Sequence, residues 1–313
     1  MNSVTTEGTG TLARGRLFIV LAAVLWSLSG VVVKSEALAS LDPLAIAFYR
    51  SLFAGLALLP FVPFRHWVFS PVLIGMTLVF GGTVGTYILA LRCTTAANVI
   101  FLQCSSTVWT ALFTAILLRE RPDTRSLIGI ACAVPGVAVI IAFGHGGSSV
   151  EWMGVALGLL SGVGYALVTV AMRHLRYLKP VWLIVVNNLG GALTLAIWLL
   201  VLQGQIPSPT TTQSLVLVAF GVVQLAIPYI LFAHGLRTVS APEAGLITLV
   251  EPILNPIWVL LVHHEQPRAA TIVGGLFLIL GVAVRYFPWR FGLAGRTSEV
   301  SEPIEILEPP GAG

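Results

Sequence analysis

A carboxyl group lies in the middle of an apolar segment near the C-terminal end of the chain. Glu251 is the tenth residue of a predicted membrane span over residues 242–262. An ionised side chain at the centre of a bilayer is costly unless it faces a partner or a water-filled cavity. Such a carboxylate can bind a substrate ammonium group, or it can carry a proton. It can also pair with a neighbouring helix and only lock the fold.

Two prolines follow this carboxyl group at a spacing that disturbs a helix. Pro252 cannot donate to the carbonyl of Thr248, and Pro256 cannot donate to the carbonyl of Pro252. Lipid cannot satisfy carbonyls that are freed in this way. We therefore expect Glu251, Asn255 and the loosened backbone to form part of a substrate site, with the prolines in a structural or gating role.

Other polar and aromatic residues within predicted spans are candidates for the wall of the same cavity. Interhelical hydrogen bonding or contact with lipid is the alternative use of each one. Trp26 and Tyr165 occupy matching places in the first and sixth spans, where paired rings could stack on a flat substrate. The candidates are Trp26, Asn98, Gln103, Tyr165, Asn187, Asn188, Gln224 and His234.

Three charged residues have predicted structural or gating roles. Arg50 is the candidate partner of Glu251, because counting from opposite faces at about 1.5 Å per residue puts the two within roughly one turn in depth. Glu120 and Glu265 lie at span ends. Both are expected to pair with local arginines or to cap a loop.

The composition predicts which elements position these residues. Of 313 residues, 57% are hydrophobic and 10% are charged, too few charges to cover a soluble domain of this length. The apolar residues fall into blocks long enough to cross a hydrocarbon core, and the alternation typical of a transmembrane barrel is absent. The sequence therefore predicts an all-α membrane protein with ten transmembrane helices. The predicted spans are 17–34, 44–63, 71–92, 95–118, 125–143, 152–172, 181–202, 213–236, 242–262 and 269–287.

The basic residues predict the orientation of these spans. With the N-terminus in the cytoplasm, thirteen lysines and arginines fall on the inner side and three on the outer side, while Arg50 lies inside a span. This bias obeys the positive-inside rule, and it explains the net charge of +4 without a nucleic-acid partner. Both chain ends are predicted to be cytoplasmic, in a multi-pass protein of the cell membrane. The inner residues are Arg14, Arg16, Arg65, Arg119, Arg121, Arg125, Arg173, Arg176, Lys179, Arg237, Arg285, Arg290 and Arg296, and the outer ones are Lys34, Arg92 and Arg268.

An internal repeat divides the chain. A shift of 145 residues matches Glu120 with Glu265, Gly129 with Gly274, and the run 136–139 with 281–284. Five spans per copy is an odd number, so the second copy enters the membrane from the opposite side. Inverted repeats with a site near the midplane are typical of secondary transporters. We expect a cytoplasmic segment 1–16, repeats 17–143 and 152–287, and a disordered acidic tail 294–313.

Short motifs in the first half resemble a known family. Trp26-Ser27 in the first span, Phe48-Tyr49-Arg50 in the second and the run LLRERP over residues 117–122 are similar to motifs of the drug/metabolite transporter superfamily, EamA-type branch. The resemblance covers about residues 15 to 290. It implies ten helices around a pseudo-twofold axis in the membrane plane, with a central cavity. It also implies transport of small metabolites, commonly amino acids or amphipathic compounds and often outward.

The functional prediction is a secondary transporter that works by alternating access and exports a small amino acid or amphipathic metabolite. Proton-coupled uptake is the alternative within this class, and protons are then the coupling ion. A membrane-embedded enzyme or a receptor is the alternative outside it. The sequence has no nucleotide-binding loop and no His-Glu-x-x-His motif, so we predict no enzyme, cofactor or metal. The expected partners are a small-molecule substrate and the bilayer, and the expected state is a monomer or homodimer.

Overall fold

The computed structural model describes residues 4–62, 70–119 and 123–286, and these residues form helices without a strand. The predicted tail 294–313 and Glu120 lie outside the described residues. The helices are α1 (Val4–Trp26), α2 (Ser29–Val33), α3 (Pro43–Leu58), α4 (Pro71–Cys93), α5 (Ala96–Cys104), α6 (Ser106–Leu117), α7 (Thr124–Phe143), α8 (Ser149–His174), α9 (Pro180–Gln203), α10 (Thr211–Gly221), α11 (Ile227–Gly235), α12 (Ala241–Ile247), α13 (Val250–His263) and α14 (Ala269–Tyr286).

These helices make up the spans that the sequence predicts. Within the described residues, nine helical segments are long and apolar enough to cross a membrane. A tenth, shorter apolar segment, Ala269–Val284, lies in α14. The prediction of an all-α, multi-pass membrane protein is confirmed. The nine long segments and the shorter tenth are close to the expected number of ten spans. Helix α1 already begins at Val4, so much of the segment 1–16 continues the first span as helix.

Four of the predicted spans are interrupted near their middles. The first span breaks between α1 and α2, the fourth at Ser105, and the ninth between α12 and α13. The eighth contains a π-helical stretch, Val222–Ala226, between α10 and α11. Broken helices at membrane depth are typical of the binding region of secondary transporters, because the interruption exposes backbone groups to a cavity.

Proline explains the interruption of the eighth span but does not break the fifth. Pro228 lies in the first turn of α11 and has no N–H for the carbonyl of Gln224, which favours the wider π turn just before it. Pro135, in contrast, lies inside a continuous α7. A proline therefore follows the π-helical interruption of one span and leaves another span unbroken.

The C-terminal helices of the two halves, α7 and α14, pack with their backbones in close contact. A Cβ atom added to Gly136 would lie 2.5 Å from the carbonyl oxygen of Gly274, and one added to Gly281 would lie 2.6 Å from that of Gly129. The repeat matches Gly129 with Gly274 and Gly136 with Gly281. The counterparts of one contacting pair, Gly136 and Gly274, are therefore the other contacting pair, Gly281 and Gly129, as a twofold axis between inverted helices would produce.

The main apolar core joins the two halves. It contains Leu44 of α3 and Ile88 of α4 from the first half, and Leu195 of α9 and Phe220 of α10 from the second. These side chains are almost completely buried. The polar residues of the broken spans are therefore held by helices of both halves.

Candidate functional site

Five side chains from both halves meet close to the interrupted spans. Arg50 of α3 and Tyr87 of α4 come from the first half, and Gln224 of the π-helical stretch, Tyr229 of α11 and Glu251 of α13 come from the second. Arg50 hydrogen-bonds to Gln224 and lies within electrostatic range of Tyr87, Tyr229 and Glu251. We call these five residues the central cluster.

The guanidinium group of Arg50 is held by Gln224. Its Nε and Nη2 atoms donate to Gln224 Oε1 over 3.2 and 2.9 Å, and its Cζ atom lies 4.8 Å from the centre of the Phe220 ring. Gln224 in turn donates from Nε2 to the backbone carbonyl of Trp26 over 2.8 Å. Arg50 is buried, with 7% of its surface exposed. The site of its charge is therefore fixed by a contact between the second, eighth and first spans.

Glu251 lies at the start of α13, the second helix of a broken span, and not within a continuous helix. It is in the first turn of α13, where the helix dipole favours a negative charge. Its N–H donates to the carbonyl of Thr248 over 3.0 Å. The expectation that Pro252 frees this carbonyl is therefore wrong, because Pro252 also lies in the first turn, where no helical N–H is needed. Pro256 lies inside α13 and removes the helical partner of the Pro252 carbonyl, as expected.

Arg50 and Glu251 interact electrostatically but form no ion pair. The arginine uses Nε and Nη2 on Gln224, and neither Arg50 nor Glu251 takes part in the ion pairs Arg16–Glu243 and Lys34–Glu265. Glu251 also lies within electrostatic range of Tyr87, Tyr229 and Cys104. The site thus presents one cationic and one acidic side chain that are near each other without neutralising each other directly.

Asn255 anchors α13 to the first span. It is fully buried, and its Nδ2 atom donates to Ser29 Oγ over 3.0 Å. Ser29 Oγ lies 2.9 Å from the hydroxyl of Tyr87. Asn255 Oδ1 has no hydrogen-bond partner and lies against Gly30, 2.8 Å from the position of an added Cβ. This residue therefore links the central cluster to the close contact between α2 and α13.

Aromatic side chains flank the cluster on the side of the first break. The ring of Trp26 lies 5.5 Å from the ring of Tyr229 and 5.5 Å from that of Phe232. Trp258 donates from Nε1 to Ser27 Oγ over 2.9 Å, directly after the end of α1. The ring partners of Trp26 thus come from α11. Tyr165, the residue that the repeat matches with Trp26, is about half exposed on α8.

The remaining cavity candidates lie apart from the hydrogen bonds of the cluster. Asn187 and Asn188 are buried in α9, and Asn188 donates to the carbonyl of its own helix at Ile184 over 2.9 Å. Gln103 is partly buried at the end of α5, and His234 is exposed on α11 beside Phe18. Asn98 donates to the carbonyl of Gly144 and accepts from Thr271, so it joins three helices. Asn98 therefore makes the interhelical hydrogen bonds that were the alternative to a place in the cavity wall, while the cavity role of the other residues stays a prediction.

Glu265 has a different partner from the one that its position in the sequence predicts. Its Oε2 atom lies 2.6 Å from Nζ of Lys34, and its Oε1 atom accepts from the N–H of Ala96 over 2.7 Å. It therefore pairs with a distant lysine instead of a local arginine, and it caps the N-terminus of α5.

Two members of the central cluster, Tyr87 and Tyr229, are not among the candidates that the sequence predicts. Each lies six residues before the C-terminal end of its span, Pro71–Cys93 for Tyr87 and Thr211–Gly235 for Tyr229. Tyr229 follows Pro228 directly and lies just after the π-helical stretch, so a phenol beside a proline within a span was the signal that could have identified it. Tyr87 lies in the continuous helix α4, where no such signal marks it.

Two surface crevices are apolar and include no member of the cluster. One, of about 370 Å³, lies between α4, α6 and α8 and is lined by residues such as Met76 and Leu167. The other, of about 290 Å³, lies between α5, α13 and α14 and includes Phe101 and Pro256. In the described part of the chain, no three His, Cys, Asp or Glu residues are placed to hold a metal ion.

Removing the acceptor of Arg50 is expected to destabilise the fold. Gln224→Leu keeps the approximate size of the side chain but leaves a buried guanidinium group without its partner, which costs about 1.5–3 kcal/mol. Thermal unfolding in detergent measures this loss. Gln205→Leu, on an exposed side chain in the loop after α9, is the matched control and should unfold like the wild type. Equal melting of the two variants would show that Gln224 does not support Arg50.

Comparison with known proteins gives matches over almost the whole chain. The model of the EamA-like transporter family matches residues 13–142 and 152–287. An uncharacterized transporter of Archaeoglobus fulgidus is 27% identical over 276 residues, which cover 88% of this chain and 96% of that protein. The pseudopaline exporter CntI of Pseudomonas aeruginosa is 27% identical over 274 residues, covering 86% and 94%. A protein of known crystal structure has a similar fold, with a TM-score of 0.62 and 17% identity over 87% of this chain and 97% of that one.

Proposed function

The chain belongs to the EamA-like transporter family, as its motifs predicted, and on this basis we propose that it exports a small amino acid or a related amphipathic metabolite by alternating access. It is a transporter and not an enzyme, and it is a multi-pass membrane protein. The proposal concerns the substrate, the direction of transport and the mechanism.

The observation that carries the proposal is the unpaired charge arrangement of the central cluster. Arg50 and Glu251 interact electrostatically without forming an ion pair, and they come from different halves of the chain. A zwitterion of amino-acid size could place its ammonium group at Glu251 and its carboxylate near Arg50. Charge-assisted hydrogen bonds of this kind are stronger than neutral ones and would compensate the substrate for lost hydration.

The rings beside the cluster support an amphipathic substrate. Trp26, Tyr229 and Phe232 provide an apolar surface next to the charged groups, with ring centres 5.5 Å apart in each contact of Trp26. An apolar side chain of the substrate would pack there while its polar end meets the charges. Sites for small molecules commonly combine apolar walls with a few polar groups that fix orientation.

The location between the two halves supports alternating access. The first half provides Arg50 and Tyr87 and the second half provides Gln224, Tyr229 and Glu251, so movement of one half against the other would expose the site to either end. The direction of transport is proposed as outward because a similar protein is named as an exporter of pseudopaline. Proton-coupled uptake remains the second candidate, and the single carboxyl group within the cluster favours it as a carrier of the coupling proton.

Flux measured in proteoliposomes tests this function. Vesicles preloaded with labelled amino acids should lose label faster when they contain the protein, and efflux should saturate with substrate concentration. Protein-free vesicles and vesicles with Arg50→Leu are the controls. A zwitterionic amino acid should compete with the label, while its amide or its decarboxylated amine should compete less well. If no amino acid moves, or if the amine and the amide compete equally well, the proposed substrate class is wrong.

A further inference from the structure

Two ion pairs join the first span to the ninth, one at each end of the bundle. At the N-terminal end, Arg16 of α1 pairs with Glu243 of α12. At the distal end, Lys34 follows α2 and pairs with Glu265 just after α13. We call these contacts the N-terminal latch and the distal latch. Each connects the first half of the chain with the second, and the central cluster lies between them along both spans.

The distal latch is part of a tight contact among three helices. Lys34 Nζ donates to the carbonyl of Thr94 over 3.0 Å, and Glu265 accepts from the N–H of Ala96 over 2.7 Å. The lysine and glutamate side chains are 17% and 23% exposed. One turn before Lys34, a Cβ added to Gly30 would lie 2.8 Å from Val259 and 3.2 Å from Ala96. The backbones of α2, α5 and α13 therefore converge here and close the distal end.

The N-terminal latch is more exposed and has fewer supporting contacts. The Arg16 and Glu243 side chains are 52% and 34% exposed. The apolar contact beside them is a small cluster of Ile19, Val239 and Ala244. An exposed ion pair contributes less than a partly buried one with additional hydrogen bonds. The N-terminal latch is thus the weaker of the two ion pairs.

Both latched spans are broken at a level between the latches. The first span breaks after Trp26, and the ninth breaks after Ile247, close to Glu251. A broken span can move one of its halves while the other stays packed, because the backbone at the break absorbs the change. Helices α1 and α12 can therefore part at one end while α2 and α13 remain closed at the other.

We propose that the Arg16–Glu243 and Lys34–Glu265 ion pairs are the latches of two gates that open in turn on either side of the central cluster. This proposal rests on the proposed function, since alternate opening is needed only by a transporter. Both latches are formed in the structure, and each is the closed state of its gate. Release of the distal latch admits solvent to the cluster from the distal end, and release of the N-terminal latch admits it from the other.

Cys104 allows the opening of each gate to be measured without a substrate. It lies within electrostatic range of Glu251, and the other cysteines, Cys93 and Cys132, can be replaced by serine. The protein is reconstituted into sealed vesicles of one determined orientation. A membrane-impermeant methanethiosulfonate reagent is then added to one side, and the rate of Cys104 modification is followed by mass spectrometry. The same measurement is repeated from the other side.

Each latch is tested by removing one of its charges. Lys34→Gln and Glu265→Gln should raise the rate of Cys104 modification from the distal side about fivefold, and Arg16→Gln should raise it from the N-terminal side by a smaller factor. The matched controls are the variants of the opposite latch, because they remove the same kind of contact at the other end. At the N-terminal latch, where each side chain bonds to the other, the double exchange of Arg16→Glu with Glu243→Arg should restore the wild-type rate, which a variant that had merely lost its fold would not do.

Two outcomes would overturn the proposal that these ion pairs act as latches. One is a rise of equal size from both sides in each variant, which indicates general loosening. The other is a rate that is the same in all variants, including no reaction in any of them. Neither outcome depends on flux, so a wild-type protein that moves no amino acid but labels with the expected sidedness would contradict only the proposed substrate class.

Discussion

Replacing Glu251 with Gln is expected to lower the efflux of a transported amino acid about 10- to 100-fold, because the variant keeps the shape of the side chain and loses the charge that would hold an ammonium group. Initial rates of efflux from proteoliposomes with equal amounts of reconstituted protein provide the measurement. Glu36→Gln removes the same charge from an exposed side chain next to the first span and should leave the rate unchanged.

The same variant separates the two roles proposed for Glu251. If the carboxyl group carries a coupling proton, an imposed pH gradient should drive flux in the wild type and have no effect in Glu251→Gln. If it binds the substrate ammonium group, the variant should be slow at every pH, with or without a gradient. A variant that keeps both the wild-type rate and the wild-type response to pH would contradict both roles and leave Glu251 as a structural residue.

Substituting Gly136 with Ala is expected to destabilise the protein by about 1–3 kcal/mol, because overpacking at a tight contact forces the backbones apart. The added Cβ would lie 2.5 Å from the carbonyl oxygen of Gly274, and a backbone atom cannot turn aside as a flexible side chain can. Gly274→Ala should have a similar effect, since its Cβ would lie 2.6 Å from the carbonyl oxygen of Gly136. A lowered temperature of unfolding in detergent, together with a reduced yield of folded protein, would report it.

Gly75 provides the control for this prediction. It also lies within a transmembrane helix, α4, and an added Cβ would meet no atom within 4 Å. Gly75→Ala should therefore leave the unfolding temperature unchanged or raise it slightly, because alanine favours a helix over glycine. If Gly136→Ala melted like Gly75→Ala, the close approach of α7 and α14 would not be a determinant of stability.

The exchange of contacts between α7 and α14 also explains why the internal repeat is faint elsewhere in the sequence. Gly129, Gly136, Gly274 and Gly281 match under one shift. A Cβ added to Gly136, Gly274 or Gly281 would meet a carbonyl oxygen of the opposite helix, and Gly129 provides one of these oxygens. At most other positions the surroundings are lipid or apolar side chains, and many residues satisfy these equally well. The internal repeat is therefore most evident in the sequence at these glycines, where the two helices pack most closely.

The sequence by itself determined that the protein lies in a lipid bilayer, and it determined the approximate limits of the spans, the family and the position of Glu251 along its span. These follow from local properties, since the length of an apolar block and the position of a charge within it can be read without knowing any neighbour. Proline also marked the interruption of the eighth span, because the missing N–H at Pro228 acts within one turn. It misled at Pro252, where the chain starts a new helix and the missing donor has no consequence.

Only the tertiary structure decided which residues face one another. Gln224, the hydrogen-bond acceptor for Arg50, is 174 positions away from it in the sequence. The two ion pairs join residues separated by 227 and 231 positions. In water, an apolar stripe on a helix shows which face is buried. In a membrane, lipid and protein interior are equally apolar, so the helices carry little pattern that distinguishes them. The composition therefore determined that these helices cross a bilayer, while packing alone determined that Tyr87 and Tyr229 lie near Glu251.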